Sequence, residues 1–323
     1  MSVCEELDRY RPMDAGHLRT TAAVLAGAVC TAVPVEPWQV HKLRSDEVYL
    51  TRWQRTGPDA FRIRARRPQE HPLYRVGSDF DPLLLCETVR QTFPLLCHAA
   101  YEVPPGHQLI WDHLRYEVDD AAYAGIDRGP ELELGVRCFD LSYRGRRPAT
   151  LSLRVDISWG AVRVATAEAR FAVQSRAVYQ RVRGAHADAE AAMAQAVPVP
   201  GPAPCAGTGR RRAGDVVLGA PGADGGRRLR VDPGHPIYFD HPVDHVPGVL
   251  LLEACHQAAG GTVRSLDCTF HRFVELDAPC TIATAPLGSG PRRAGQAAGG
   301  RRITAVQDGQ VRFTADLVGA FAD

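Results

Sequence analysis

The apolar positions of this chain follow two periods, and the second half repeats the order of the first. Phe61-Arg62-Ile63-Arg64-Ala65 alternates apolar with charged, the period of a half-buried strand. Val40 to Trp53 is β-like before it, with Val48, Leu50 and β-branched Thr51 beside Tyr49 and Trp53, and Thr56-Gly57-Pro58-Asp59 supplies the turn between. Asp81-Pro82 is an N-cap residue followed by a first-turn proline, so a helix is predicted from Leu83 through Gln91. Pro94 should end or kink it, because its ring cannot donate to the carbonyl of Arg90. Strands are expected at 107–118, 131–143, 149–158 and 161–175, with turns at Gly145 and Trp159-Gly160. Gly184 to Ala196 is Ala-rich and suits a short helix. Val197 to Ala213 is dense in Pro, Gly and Ala, as a linker is.

The echo is in register. Glu47-Val48-Tyr49-Leu50 returns as Asp215-Val216-Val217-Leu218, and Phe61-Arg62-Ile63 as Leu229-Arg230-Val231, both 168 residues on. Leu83-Leu84-Leu85-Cys86-Glu87 returns as Val249-Leu250-Leu251-Leu252-Glu253, and Gln91 as Gln257, both 166 residues on. An internal duplication is the reading, with an N-terminal extension at 1–38, repeats at 39–183 and 214–323, and a linker at 184–213. Each repeat is α+β, one long apolar helix followed by antiparallel strands, which suggests a helix wrapped by a curved sheet. Isolated halves would leave sheet edges open, so the two should pack as an intrachain pseudo-dimer, with sites between them. A homodimer remains possible beyond that.

The second helix carries the sharpest chemistry. In Asp240 to Gly261, Pro247 suits the first helical position and Gly260-Gly261 a left-handed cap. Every face between them is apolar or small, yet Glu253 sits in the middle. Burial of an unpartnered carboxylate is costly, so Glu253 is either paired structurally or used, and the same choice holds for Glu87. His241 and His245 beside Asp240 and Asp244 raise the question of a metal. Pro242 and Pro247 break the helix that would align them, so turn formation and capping is the favoured reading and no metal is expected. Cys86 and Cys255 read as core.

Composition narrows the classes. The net charge of +1 gives no case for nucleic acid, and Lys42 is the only lysine among 38 Lys and Arg. Nine cysteines, an odd number with no C-x-x-C pair, argue for a reducing cytosol over a disulfide framework. The apolar run Thr21–Val33 follows Arg9, Arg11 and Arg19 as a leader would, but Glu5, Glu6 and Asp8 argue against one. No run approaches the ~18 apolar residues of a membrane span. The Arg-Arg pairs read as solvated faces, one of which suits docking of an acidic carrier protein.

Several stretches together carry a resemblance. Val40-His41-Lys42 with Glu47-Val48-Tyr49-Leu50-Thr51, Asp81-Pro82-Leu83-Leu84 with Glu87-Thr88-Val89-Arg90-Gln91, Asp240-His241-Pro242 with Asp244-His245-Val246-Pro247-Gly248, and Arg272-Phe273-Val274-Glu275-Leu276-Asp277 resemble motifs of the A-factor biosynthesis family, γ-butyrolactone synthases built from tandem hotdog repeats. The resemblance covers roughly 38–320 without the linker. It implies a double-hotdog fold and transfer of a β-ketoacyl group from an acyl-carrier-protein thioester to the hydroxyl of dihydroxyacetone phosphate or a similar acceptor, without a cofactor. In that setting Glu253 suits the base, with Glu87 its equivalent. The free N–H groups at Gly248 and Val249 suit an oxyanion hole. His241, Asp244 and His245 suit the pocket mouth, and Arg90 and Arg272 the charged substrate. One departure stands out: the family's Arg three residues after the second Glu is His256 here, which lacks the bidentate fork and bears on a phosphorylated acceptor. His256 is itself a candidate acid/base, and Arg264 or Arg272 a candidate replacement. The alternatives are a hotdog dehydratase or thioesterase, supported by His256, and a non-catalytic acyl or lactone binder.

Overall fold

The computed structural model describes residues 31–68, 70–74, 81–119, 121–122, 131–287 and 299–321. Most of the N-terminal extension, and with it most of the apolar run from Thr21, lies outside these residues. Among the described residues no helix is long and apolar enough to cross a membrane.

In chain order the first repeat contributes β1 (Val33–Pro34), β2 (Leu50–Gly57), β3 (Ala60–Arg66), α1 (Pro82–Ala99), β4 (Gln108–Val118), β5 (Glu131–Arg144), β6 (Arg147–Trp159) and β7 (Val162–Gln174). A connecting stretch forms α2 (Arg176–Arg183) and α3 (Ala189–Ala194). The second repeat contributes β8 (Leu218–Pro221), β9 (Arg227–Leu229), α4 (Gly248–Ala259), β10 (Gly261–Phe270), β11 (Cys280–Pro286), β12 (Gly299–Gln307) and β13 (Gln310–Phe321). All the strands join one sheet in the order β1-β2-β3-β5-β6-β7-β4-β10-β13-β12-β11-β9-β8. Read outward from the β4–β10 seam, the two halves run 4-7-6-5-3-2-1 and 10-13-12-11-9-8. Apart from the two-residue β1 at the outer edge, each strand therefore has its counterpart at the same place, and the duplication read from short sequence echoes extends to the topology of the sheet. At the seam His113–Glu117 pairs antiparallel with Ser265–Thr269, which closes an edge that either half alone would expose.

The period-two pattern of β3 is realised as expected: Phe61, Ile63 and Ala65 are buried, with Arg62 and Arg64 exposed between them. Three expectations shift. First, Val40–Trp53 is not one strand: Pro37–Val40 and Ser45–Glu47 are 3-10 turns, and extended pairing starts at Leu50. Second, α1 does not end at Pro94 but continues to Ala99. Leu95, Leu96 and Cys97 are fully buried there, and their packing outweighs the roughly 3 kcal/mol that an internal proline costs a helix. Third, Pro247 is the N-cap of α4, with extended ψ 136, and not its first helical residue. At the far end Gly260 takes the left-handed cap (φ 64, ψ 47). At Gly261 a Cβ would lie 2.2 Å from the Ala320 carbonyl oxygen, so that site needs glycine for close strand approach.

The connecting stretch does more than link. The short helix expected near 184–196 is α3, with Asp188 accepting from the N–H of Ala191 at its start. α2, capped by Ser175, was not legible as a helix among the strands. Two polar residues of the linker, Thr208 and Arg210, are buried, together with Ala203.

Candidate active site

A cavity of about 900 Å³ lies between α1 and the start of α4, where the two repeats face each other. The first repeat lines it with His41, Lys42, Glu87, Arg90, Phe93 and Trp111. The second lines it with Asp240, His241, Gly248, Val249, Phe270 and Arg272, among others.

Glu87 is its polar anchor. The Asp81 cap and Pro82 start α1 and set the phase that turns Glu87, Arg90 and Gln91 inward. Arg90 donates to both Glu87 oxygens, through Nε and Nη2 at 2.8 Å each, and the Lys42 ammonium lies 3.2 Å from Oε1. Gln91 adds a bond at 3.0 Å and ties the helix to the preceding turn, accepting from the Tyr49 N–H at 2.9 Å and donating to the Glu47 carbonyl at 2.8 Å. Burial pushes the Glu87 carboxyl up, but Arg90 and then Lys42 outweigh it and hold the group well below the usual carboxylate range. Glu87 is therefore a fixed anion that positions two cations, and a poor base. The Arg90 guanidinium keeps its Nη1 without a partner among the described residues.

Across the cavity, α4 presents its N-terminus. No side chain caps it. The carbonyl of Pro247 accepts from the N–H of Leu250 and Leu251, which leaves those of Gly248 and Val249 beside the cavity. Gly248 packs against aromatic rings: a Cβ there would lie 2.9 Å from Trp111 Cε3 and 3.2 Å from Phe270 Cε1. Its lack of a side chain thus serves the Trp111 contact. Trp111 and Phe270 stack at 5.0 Å and give the cavity an apolar wall.

The loop before α4 is pinned. Asp244 accepts from Tyr179 Oη at 2.7 Å and Arg183 Nε at 3.1 Å, and meets His245 Nδ1 at 2.6 Å. Arg183 also grips both oxygens of Glu275 and lies over the Phe273 ring. Asp244 and His245 do not cap the helix; they fix the loop that carries it. Burial raises the Asp244 carboxyl, but His245, Tyr179 and Arg183 more than offset this and hold it low.

The site at Glu253 is built on the same plan and closed. Gln257 repeats the latch of Gln91, accepting from the Val217 N–H at 2.9 Å and donating to the Asp215 carbonyl at 2.9 Å and to Glu253. In the place of Lys42 stands Arg210, which meets Glu253 through Nε at 2.7 Å and Nη2 at 2.5 Å. Its Nη1 reaches the carbonyl of Leu73 at 2.7 Å and Asp81 Oδ2 at 3.1 Å. Glu253 is wholly buried and does not line the cavity. His256 does not line it either; its Nε2 lies 2.9 Å from Tyr116 Oη at the seam. Of the residues singled out in the sequence, the open cavity gathers Glu87, Arg90, Gly248, Val249, His241, Asp244, His245 and Arg272, while Glu253 and His256 lie outside its lining. Arg210 meets both oxygens of Glu253 as Arg90 meets those of Glu87, and of the two arginines considered from the sequence Arg272 lines the cavity. Sequence reasoning quoted His41 and Lys42 but gave them no role; the signal for Lys42 was its being the sole lysine.

Among the described residues no cluster of three or more His, Cys, Asp or Glu is placed to hold a metal. The seven described cysteines are free thiols.

The family model of the A-factor biosynthesis hotdog domain matches residues 27–175 and 192–322. A 2-oxo-3-(phosphooxy)propyl 3-oxoalkanoate synthase of Streptomyces virginiae is 40% identical over 288 residues, covering 85% of this chain and 94% of the relative. A synthase of the same name from Streptomyces coelicolor is 38% identical, covering 90% and 92%. Among solved structures, a putative oleoyl thioesterase of Lactobacillus plantarum is 10% identical at a TM-score of 0.45, covering 82% of this chain and 97% of that one. With both repeats matched and these relatives aligned over most of their length, the chain belongs to the A-factor biosynthesis hotdog family.

Proposed function

We propose that this protein is an acyltransferase that esterifies dihydroxyacetone phosphate with a β-ketoacyl group delivered as an acyl-carrier-protein thioester. The product is the 2-oxo-3-(phosphooxy)propyl 3-oxoalkanoate ester named for the relatives, a precursor class for γ-butyrolactone signals. The observation that carries this reading is the opposition of a Glu87-anchored pair of cations to an uncapped helix start across an apolar-walled cavity.

Each substrate part has a counterpart. The phosphate suits the Lys42 ammonium and the Nη1 of Arg90, which has no partner among the described residues and whose orientation Glu87 fixes. The thioester oxygen suits the N–H groups of Gly248 and Val249, placed where negative charge develops. The acyl chain suits Phe93, Trp111 and Phe270. Exposed Arg176 and Arg272 border the cavity and suit an acidic carrier protein. The dehydratase or thioesterase alternative rested on His256, and His256 lies outside the cavity. The buried free thiols favour a cytosolic setting.

The test is direct. Purified protein, a β-ketoacyl thioester of a carrier protein and dihydroxyacetone phosphate should yield the phosphorylated ester by mass spectrometry. Thiol release that is indifferent to the acceptor would instead mark a thioesterase, and no ester at all would sink the reading.

A further inference from the structure

The reaction proposed above needs a base for the acceptor hydroxyl, and Glu87 is too firmly paired with cations to serve. His41, which lines the cavity, answers the need through its contact with His98 behind it. His98, near the end of α1, places Nδ1 at 2.7 Å from the carbonyl oxygen of Val103. A carbonyl only accepts, so His98 Nδ1 carries the hydrogen and its Nε2 carries the lone pair. His41 Nε2 lies 2.7 Å from that lone pair, so it must be the donor. The tautomer of His41 is thereby fixed: Nε2 is protonated and Nδ1 carries the basic lone pair.

The backbone is committed to this arrangement. His41 ends the Pro37–Val40 turn in the left-handed region, at φ 54 and ψ 50, which a non-glycine residue adopts only under backbone strain. The strain presents the ring at the cavity, beside Lys42. The groups that bear on it are His98 and Arg90 from α1 and His241 from the second repeat, and Lys42, Glu87 and Asp240 line the same cavity. Burial first, then His98, Arg90 and His241, hold the His41 imidazole well below its ordinary value, so it is neutral at pH 7.

Resting on the acyltransferase reading, we infer that His41 is the general base of the transfer and His98 the residue that positions it. The acceptor hydroxyl gives its proton to His41 Nδ1 while its oxygen forms the C–O bond to the thioester carbonyl carbon. The tetrahedral intermediate then collapses with cleavage of the C–S bond, and the imidazolium returns the proton to the departing carrier thiolate. No other reactant is needed.

The experiment uses the full chain and the ester assay. His41→Gly keeps the left-handed backbone without strain and leaves a ring-sized space; His41→Asn also tolerates that backbone but cannot act as a base. Both should lower kcat about 100-fold with KM for the thioester unchanged. Added imidazole should restore His41→Gly, in proportion to its neutral fraction, and should not restore His41→Asn. The wild-type rate should fall on acidification only below about pH 6.5, the ordinary histidine value. Either variant at near-wild-type rate, a loss confined to KM, or a His41→Gly loss that imidazole leaves untouched overturns the role of His41 while ester formation by wild type stands. Wild type that forms no ester overturns the function reading itself, and the role of His41 with it.

Discussion

The two glutamate helices carry the same latch and opposite fates. Gln91 and Gln257 tie their helices to equivalent turns by equivalent bonds, and Glu87 and Glu253 sit at equivalent depth. What differs is the cation supplied by the preceding segment and the helix end across from it. Glu87 faces Lys42, Arg90 and an uncapped α4. Glu253 faces Arg210, which also binds Asp81, the cap of α1. The proline at the start of α4 falls where Asp81 stands in the first repeat, and a proline side chain cannot cap. Three exchanges separate an open site from a filled one: Arg210 in the place of Lys42, His256 in the place of Arg90, and Pro247 in the place of the capping Asp81. Duplication frees one copy for structure, and here the Arg210 guanidinium fills the copy at Glu253.

The comparison can be broken at several points. The largest expected effect is on stability, at the closed site. Arg210→Met strands two buried carboxylates and should destabilise the fold by about 3–5 kcal/mol in chemical denaturation. Adding Glu253→Gln should recover part of that loss, and ester formation per folded molecule should persist. An Arg210→Met protein that is fully stable but inactive would reverse the assignment of the two sites.

Next comes the matched pair of amide substitutions. Glu87→Gln releases Lys42 and Arg90 from their fixed geometry and should lower the ester rate about 100-fold. Glu253→Gln should leave the rate close to wild type. Equal losses in the two variants would mean that both sites contribute.

Gly248→Ala sharpens the contrast at the helix start. Its methyl must push Trp111 and Phe270, at a cost of about 1–3 kcal/mol in stability. It should also raise KM for the thioester, since the cavity wall moves. The smallest effect is the acid dependence of stability. Glu87 has a folded pKa below its unfolded one, so its contribution is full above about pH 4.3 and is lost as pH falls further. Stability measured across that range should fall more steeply for wild type than for Glu87→Gln.

The repeat order, both helices and the long strands were legible because each rests on a local period or a cap. β4 to β7 fall within a few residues of the expected segments, since their alternation and turn glycines act over a handful of positions. The fate of each glutamate was not legible. Glu87 and Glu253 have near-identical neighbours in sequence, and the residues that separate them, Lys42 and Arg210, lie 45 and 43 positions earlier. Arg210 also sits in a stretch whose composition reads as linker. The His41–His98 contact spans 57 positions and depends on a left-handed turn that the β-like run around Val48 concealed.

Lys42 also has an experimental use. It is the sole lysine, so a phosphate-bearing aldehyde followed by borohydride has one side-chain amine to find besides any free chain terminus. Its ammonium is nearly buried and faces the cavity, so only a reagent small enough to enter reaches it. Labelling at that amine, read by intact mass, becomes a count of open cavities, and its suppression by each candidate acceptor becomes a ranking of acceptors that needs no carrier protein and no turnover.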